Sequence, residues 1–334
     1  YQVTQETFRA PWGHPSLVEA EGYEPHKAQK GRTMLRLSGR VNDSSIQRLR
    51  IYVAFESYEL PDQTHPEFLK KQLALLELFR DVPLDGFAWD EPANGSSMTG
   101  YKAGRGFLEF FQKRYGYDLR TRLLELDRGT DAVALQTRRD YYEALNEGFY
   151  RSQKSFNDRA RELFGPDIFL GWHQTWSGLA ADLRAGCTDY FRQGEPLSAA
   201  FTDTGWDLTP YAETIYNYVL AESLRKELGK PLAYCMDWSK KPVTRWYDYY
   251  TRLKMLYGIE WILIAMGRGA WEGFPNLPWD RHWPVNSRNA AQLEAFADFT
   301  GRTVDGESEM AVWHGWQGVA ALESAHYGYV RLWM

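Results

Sequence analysis

The chain has 334 residues and a formal net charge of −5, with 39 Lys+Arg against 44 Asp+Glu, a balance that disfavours a general nucleic-acid or anionic-membrane surface. Its length admits two domains or one decorated barrel, and its only cysteines, Cys187 and Cys235, exclude a disulfide framework and an all-cysteine zinc site while leaving one bridge open. No apolar run reaches the roughly 18–20 residues of a membrane span, the longest, residues 259–266, being interrupted by Glu260.

In chain order, residues 1–8 read as a weak strand and residues 33–41 as a better one. The chain opens at Tyr1 with neither Met nor a secretory pattern, as expected of a processed or excised chain, and its compartment is unreadable beyond the expectation that it is soluble. From residue 49 onward, short apolar or β-branched runs alternate with long amphipathic stretches, the rhythm of parallel strands joined by crossover helices. The strand-like runs are residues 49–55, 86–90, 168–172, 198–202, 232–236 and 261–266. Before the second of them, Phe68, Gln72, Leu75, Leu76 and Phe79 share one helical stripe, four of the five being apolar. The helix is expected to start at His65-Pro66-Glu67, since proline suits a first turn. Further helices are expected at 107–114, 138–164, 211–228 and 245–257, the second of these carrying Tyr141, Leu145 and Phe149 at four-residue spacing. Residues 267–288, rich in Trp, Pro and Gly, read as a long loop, 289–299 as a last helix, and 309–334 as strand-like. Counting the two early strands gives eight, the number that closes a ring. The expected fold is thus α/β, a (β/α)8 TIM barrel over residues 1–300. A small β-rich extension at 301–334 would be an edge strand or part of a cut-off accessory domain.

In such sheets the functional loops follow the carboxyl ends of the strands. Those ends carry Glu56; Trp89-Asp90-Glu91; Trp172-His173-Gln174-Thr175-Trp176; Asp203 with Trp206 and Asp207; Asp237-Trp238; and Arg268 with Trp271. Turn and helix-cap chemistry accounts for short acids at strand ends. It does not account for tryptophan beside most of them, an apolar side chain costly at an exposed rim. Trp, Tyr and Phe number 14, 21 and 17, or 52 of 334 residues; flat faces with polar tips suit sugar rings as well as a crowded core.

Two carboxyl groups flanking a scissile bond, one protonated and one ionised, are what glycoside hydrolysis requires. Glu91, next to Asp90 and near Trp89, would have, with its side chain pointing inward, the negative neighbour and apolar surroundings that keep an acid protonated. It is the first candidate for general acid, with Asp237 or Asp203 as partner. Adjacent residues of an extended strand face opposite ways, so an inward Asp90 would make Asp90 the nucleophile and Asp203 the acid. Asp90, Glu56, Trp89, His173, Trp176, Trp206, Trp238, Arg268 and Trp271 are the candidate substrate contacts. No His-x-x-x-His or Cys-x-x-Cys occurs, so no transition-metal ligand set is legible and no cofactor is expected. A calcium or magnesium site on Asp90, Asp203 or Asp207 stays open. Serine-hydrolase and nucleotide-loop motifs are absent.

The string Asp85-Gly86-Phe87-Ala88-Trp89-Asp90-Glu91-Pro92 resembles two barrel glycosidase signatures. One is the Asn-Glu-Pro that ends strand four in retaining enzymes of the large β-glycosidase clan, which implies Glu91 as acid/base. The other is the Asp-Gly-x-Trp-x-Asp stretch of α-glycosidases, which implies Asp90 as nucleophile. Asp90 stands where the first has Asn, Asp237 where that clan has a nucleophilic Glu, and Trp89 one position late for the second. Residues 107–150, with Tyr115-Gly116-Tyr117-Asp118-Leu119 and Asp140-Tyr141-Tyr142, look like the segment after strand four of large bacterial barrel-type α-L-rhamnosidases, inverting enzymes with catalytic Glu side chains and a bound calcium. The resemblances imply a glycosidase acting on an oligosaccharide or glycoconjugate. Its rivals are a non-catalytic carbohydrate-binding barrel and a metal-assisted hydrolase or lyase on the same fold. A carbohydrate substrate is the one partner expected; nucleic acid and a membrane span are not, and the oligomeric state is unreadable.

Overall fold

The computed structural model describes residues 20–21, 34–35, 62–89, 101–172, 174–175, 189–203, 223–235 and 259–263, and four helical positions, 288, 291, 292 and 295. The predicted strands 1–8 and 49–55, the aromatic loop 267–287, the helix 245–257 and the extension 301–334 lie outside the described residues.

Two strands open the chain, β1 (Ala20–Glu21) and β2 (Met34–Leu35). They pair antiparallel with each other, Ala20 opposite Leu35, so the described part of the predicted strand 33–41 belongs to a separate two-stranded ladder. Helix α1 (Pro66–Leu78) starts where the sequence places it, with Pro66 in its first turn and the His65 ring accepting from the Glu67 amide. The stripe is narrower than the spacing implies. Leu76 is fully buried and Gln72 is buried beside it, whereas Leu75 is 49% exposed. Gln72 is held inside because Ser152 Oγ donates to its Oε1 at 2.8 Å, which satisfies a polar atom that burial would otherwise penalise.

Strand β3 (Gly86–Trp89) follows a short turn. Between it and β4 (Phe169–Trp172) lies a helical insertion: α2 (Arg105–Tyr115), a 3-10 turn at Leu119–Arg122, α3 (Leu123–Arg128) and α4 (Ala132–Phe164). Helix α4 begins six residues earlier than its apolar spacing implies, because Asp131 accepts from the Ala134 amide and caps it. Its 33 residues make a rod of about 50 Å. Among the described residues, two buried clusters lie toward the ends of that rod, and Phe149 with Trp172 and Leu197 forms a third between them. The rod's C-terminal half packs on the sheet through Phe156, Ala160 and Leu76 of α1 against Leu170 and Ile168. Its N-terminal half, through Tyr141, Tyr142 and Leu145, gathers Phe107, Phe111, Leu119 and Leu126 of α2, the 3-10 turn and α3.

The remaining strands are β5 (Gln174–Thr175), β6 (Ala200–Asp203), β7 (Leu232–Cys235) and β8 (Ile259–Leu263), with the short helix α5 (Tyr190–Gly194) ahead of β6. β3 pairs parallel with β4, and β5, β6, β7 and β8 pair parallel in that order. The two groups meet where the Ser198 amide donates to the Leu170 carbonyl at 2.8 Å and the Leu170 amide donates to Ser198 Oγ at 3.0 Å. Parallel neighbours therefore follow sequence order throughout the described sheet. A doubly wound sheet would reverse order at a switch point. Right-handed crossovers in one direction put successive helices on one face, and α1 and α4 do share a face, packing together on Leu170.

Candidate functional site

Strand alternation can be read directly at β3 and β4. Phe87 meets Phe156 and Phe164 at ring centroid distances of 5.8 and 5.3 Å, and Trp89 meets Phe156 at 4.6 Å, all edge-on. Trp172 is buried and meets Phe149 at 5.5 Å. Phe87, Trp89, Leu170 and Trp172 thus face α4, and their intervening neighbours Ala88 and Gly171, paired in register, take the opposite face. The Trp89 ring, offered by the sequence as a sugar platform, is half-buried between strand and helix.

Asp203 ends β6 and is in register with Thr175 of β5 on one side and Cys235 of β7 on the other. Trp89 and Trp172 end the neighbouring pair in register. The carboxyl ends of β3 and β4, and those of β5, β6 and β7, are therefore each in register and point toward the same edge. The other predicted residues, Glu91, Asp237, Asp90, Glu56, His173, Trp176, Trp206, Trp238, Arg268 and Trp271, lie outside the described residues, as does Asp207. Their chain positions still constrain them. Asp90 and Glu91 directly follow Trp89, His173 sits between Trp172 and Gln174, Trp176 follows Thr175, and Asp237 is two residues past Cys235. Among the described residues, no three His, Cys, Asp or Glu side chains converge as metal ligands, and no helix is long and apolar enough to cross a membrane.

Beside this edge rises the helical insertion. Contacts along α4 run from Phe164 on Phe87, through Phe156 on Trp89, to Phe149 on Trp172. Residues 132–148 therefore continue past the carboxyl ends of β3 and β4 by about 25 Å. On its way, α4 presents a charged belt. Glu147, buried, pairs with Arg192 of α5 at 2.6 Å and with Arg151, and Arg192 lies over the Tyr150 ring at 4.2 Å. Burial works to raise the Glu147 carboxyl, but hydrogen bonds from Arg192 and Arg151 outweigh it and hold it below the usual carboxylate range. Asp140 is the opposite case: burial pushes its carboxyl up although Tyr117 and Gln136 donate to it. Both lie in the helical layer and neither was singled out by strand-end reasoning.

The sequence reading also missed Asp62. Its Oδ1 accepts from the Thr64 amide and hydroxyl, and its Oδ2 accepts from the Phe107 amide at 3.0 Å, which caps the N-terminus of α2 from 45 residues away. The available signal was Asp62-Gln63-Thr64-His65-Pro66, an Asx-type turn ahead of a helix.

No family model matches the sequence, and no curated protein matches it. Solved structures do resemble it in fold. The β-galactosidase from the psychrophilic Marinomonas ef1 superposes with a TM-score of 0.52 and 13% identity over 72% of this chain and 44% of that one. The β-galactosidase from Bacillus circulans sp. alkalophilus gives 0.51 and 16% over 78% and 44%. The chain thus spans less than half the length of either relative. The likeness shows a fold related to that of these glycoside hydrolases and lends no support to the narrower rhamnosidase resemblance.

Proposed function

We propose that this chain is the catalytic part of a glycoside hydrolase, built on a closed (β/α)8 barrel whose carboxyl edge carries the reacting acids. One observation carries the reading: among the described residues parallel strands succeed one another in sequence order, so their carboxyl ends, that of β6 with Asp203 among them, share the edge on which this chemistry would be built. Neighbouring strands lie about 4.8 Å apart, so carboxyl ends a few strands apart are separated by roughly 10–20 Å along a flat sheet. Curling the sheet shortens that span toward the carboxyl separations of hydrolysis, about 5–5.5 Å for retention and about 6.5–9.5 Å for inversion. The β-galactosidase neighbours support the same chemistry and make β-galactosides the first substrates to try.

In this reading Glu91 donates a proton to the leaving oxygen, and Asp237 or Asp203 attacks the anomeric carbon or activates water. His173, Trp176, Trp206, Trp238, Arg268 and Trp271 bound the sugar site, with Glu56 and Asp90 hydrogen bonding at its rim. A second reading is favoured by the alternation in β3. Ala88 lies on the face away from α4, and an extended continuation gives Asp90 that same face and Glu91 the α4 side. Glu91 then serves as acid only where the chain leaves extended geometry after Trp89; otherwise Asp90 is the reacting carboxylate and Asp203 its acid.

The test is a screen of aryl glycosides, including an aryl β-D-galactoside, with product stereochemistry followed by NMR. Glu91→Gln is expected to lower kcat by at least about 10³-fold with an unchanged circular dichroism spectrum. A fully active Glu91→Gln beside an inactive Asp90→Asn transfers the role to Asp90. Full activity in both, or no turnover of any glycoside by the wild type, overturns the reading.

A further inference from the structure

The turn ahead of α1 is wedged into the junction of α2 and α4. Asp62 caps α2 through the Phe107 amide. A Cβ on Gly106 would stand 2.7 Å from His65 Cα, and one on Gly148 of α4 would collide with Thr64 Cγ2, so both helices carry glycine where the 62–65 turn presses against them. A few residues upstream of α2 there is a second anchor. The Lys102 amide donates to the Tyr141 hydroxyl at 2.5 Å, and that hydroxyl donates to the Lys102 carbonyl at 3.3 Å, while the Tyr101 ring stands edge-on to Tyr141 at 5.5 Å.

These anchors have a common beneficiary. Residues 90–104 connect β3 to α2 and include Asp90 and Glu91. One end of the connection is set by β3 in the sheet, and the other is set by Asp62, Tyr141 and the two glycines. We propose that Asp62 is a positioning residue: by fixing the N-terminus of α2 it fixes the span of the segment that carries the acid. The inference rests on the glycosidase reading for its kinetic consequence but not for the clamp itself. A short carboxylate suits the task because it accepts from the turn and from α2 at once, and its charge is favourable at a helix N-terminus. Alanine loses all three of these bonds, whereas asparagine keeps one carbonyl acceptor.

The experiment compares Asp62→Ala, Asp62→Asn and Ser152→Ala with the wild type, below the thermal transition of all four. Ser152→Ala removes the α1–α4 hydrogen bond on Gln72 and serves as the reference for a merely structural loss. The first readout is tryptic cleavage at Lys102 and Arg105, mapped by mass spectrometry. It is expected to rise about tenfold in Asp62→Ala, reflecting local opening, and to stay near wild type in Ser152→Ala. Unchanged cleavage overturns the clamp. The second readout is turnover of the best aryl glycoside from the screen. Asp62→Ala is expected to lose about tenfold in kcat with KM within about twofold, as misplacement of a reacting group predicts, and Asp62→Asn to recover most of that loss. A wild-type kcat for Asp62→Ala beside an inactive Glu91→Gln overturns the positioning role alone. Where no glycoside is turned over, the glycosidase reading falls and cleavage still decides the clamp.

Discussion

Glu147 shows how one side chain on α4 couples that helix to α5. It is 4% exposed and faces two guanidiniums, one of its own helix and one of α5. Removing it leaves both arginines partly able to turn to solvent, so the cost is that of lost charge-assisted hydrogen bonds and not of a stranded buried cation. Glu147→Gln should lower stability by about 1–3 kcal/mol near neutral pH. The sign with pH follows from the depressed carboxyl. A group held more acidic in the folded chain contributes fully above its unfolded pKa and loses that contribution as pH falls through the folded one. The difference between wild type and Glu147→Gln in urea titrations should therefore shrink as pH falls from neutral into the acid range. A difference that grows with acid would contradict the pairing. Asp140 runs the other way: its raised carboxyl makes ionisation a cost at neutral pH, relieved as acid protonates it.

At the scale of elements, α4 serves separate clusters at different heights along one stripe. Phe111 belongs to the cluster around Tyr141 and Tyr142, and Phe156 to the cluster around Leu76 and Leu170. Phe111→Leu and Phe156→Leu are each expected to cost about 1–2 kcal/mol. Because they share no partner, the double variant should lose their sum to within about 0.5 kcal/mol by denaturant titration. The elements also show where sequence reasoning succeeds. Short apolar runs locate β3, β4 and β7, and the 3.6-residue pattern locates α1 and the C-terminal part of α4, to within a few residues, because burial between sheet and helices demands them. β6 and β8 are displaced by about two residues, since short apolar runs do not mark where a ladder begins. Helices α3 and α5 are too short for a period to register, and the true start of α4 lies in the cap at Asp131 and not in its apolar spacing. Gln72 and Leu75 exchange the roles that polarity alone assigns them, because a hydroxyl on another helix waits for the amide. The site was legible only as a list of strand ends: Asp203 does end β6, whereas for Asp62 the local turn was legible but its bond to the Phe107 amide, 45 residues away, was not.

For the molecule as a whole, the rod-like α4 makes angular phase a constraint of its own. One residue inserted between Tyr150 and Arg151 would rotate everything upstream by about 100° relative to the sheet-bound half, so at most one of the two clusters could keep its partners. Seven inserted residues bring the faces back to within about 20° and lift the insertion by roughly 10 Å. Both inserts part Phe149 from Trp172 and Glu147 from Arg192, but thermal melts should find the seven-residue insert less destabilised than the single-residue insert, an inversion of the usual rule that larger insertions do more harm. Natural length variation in this helix, on the same grounds, should come in near-integral pairs of turns, with the height of the wall beside the strand ends changing in steps instead of continuously.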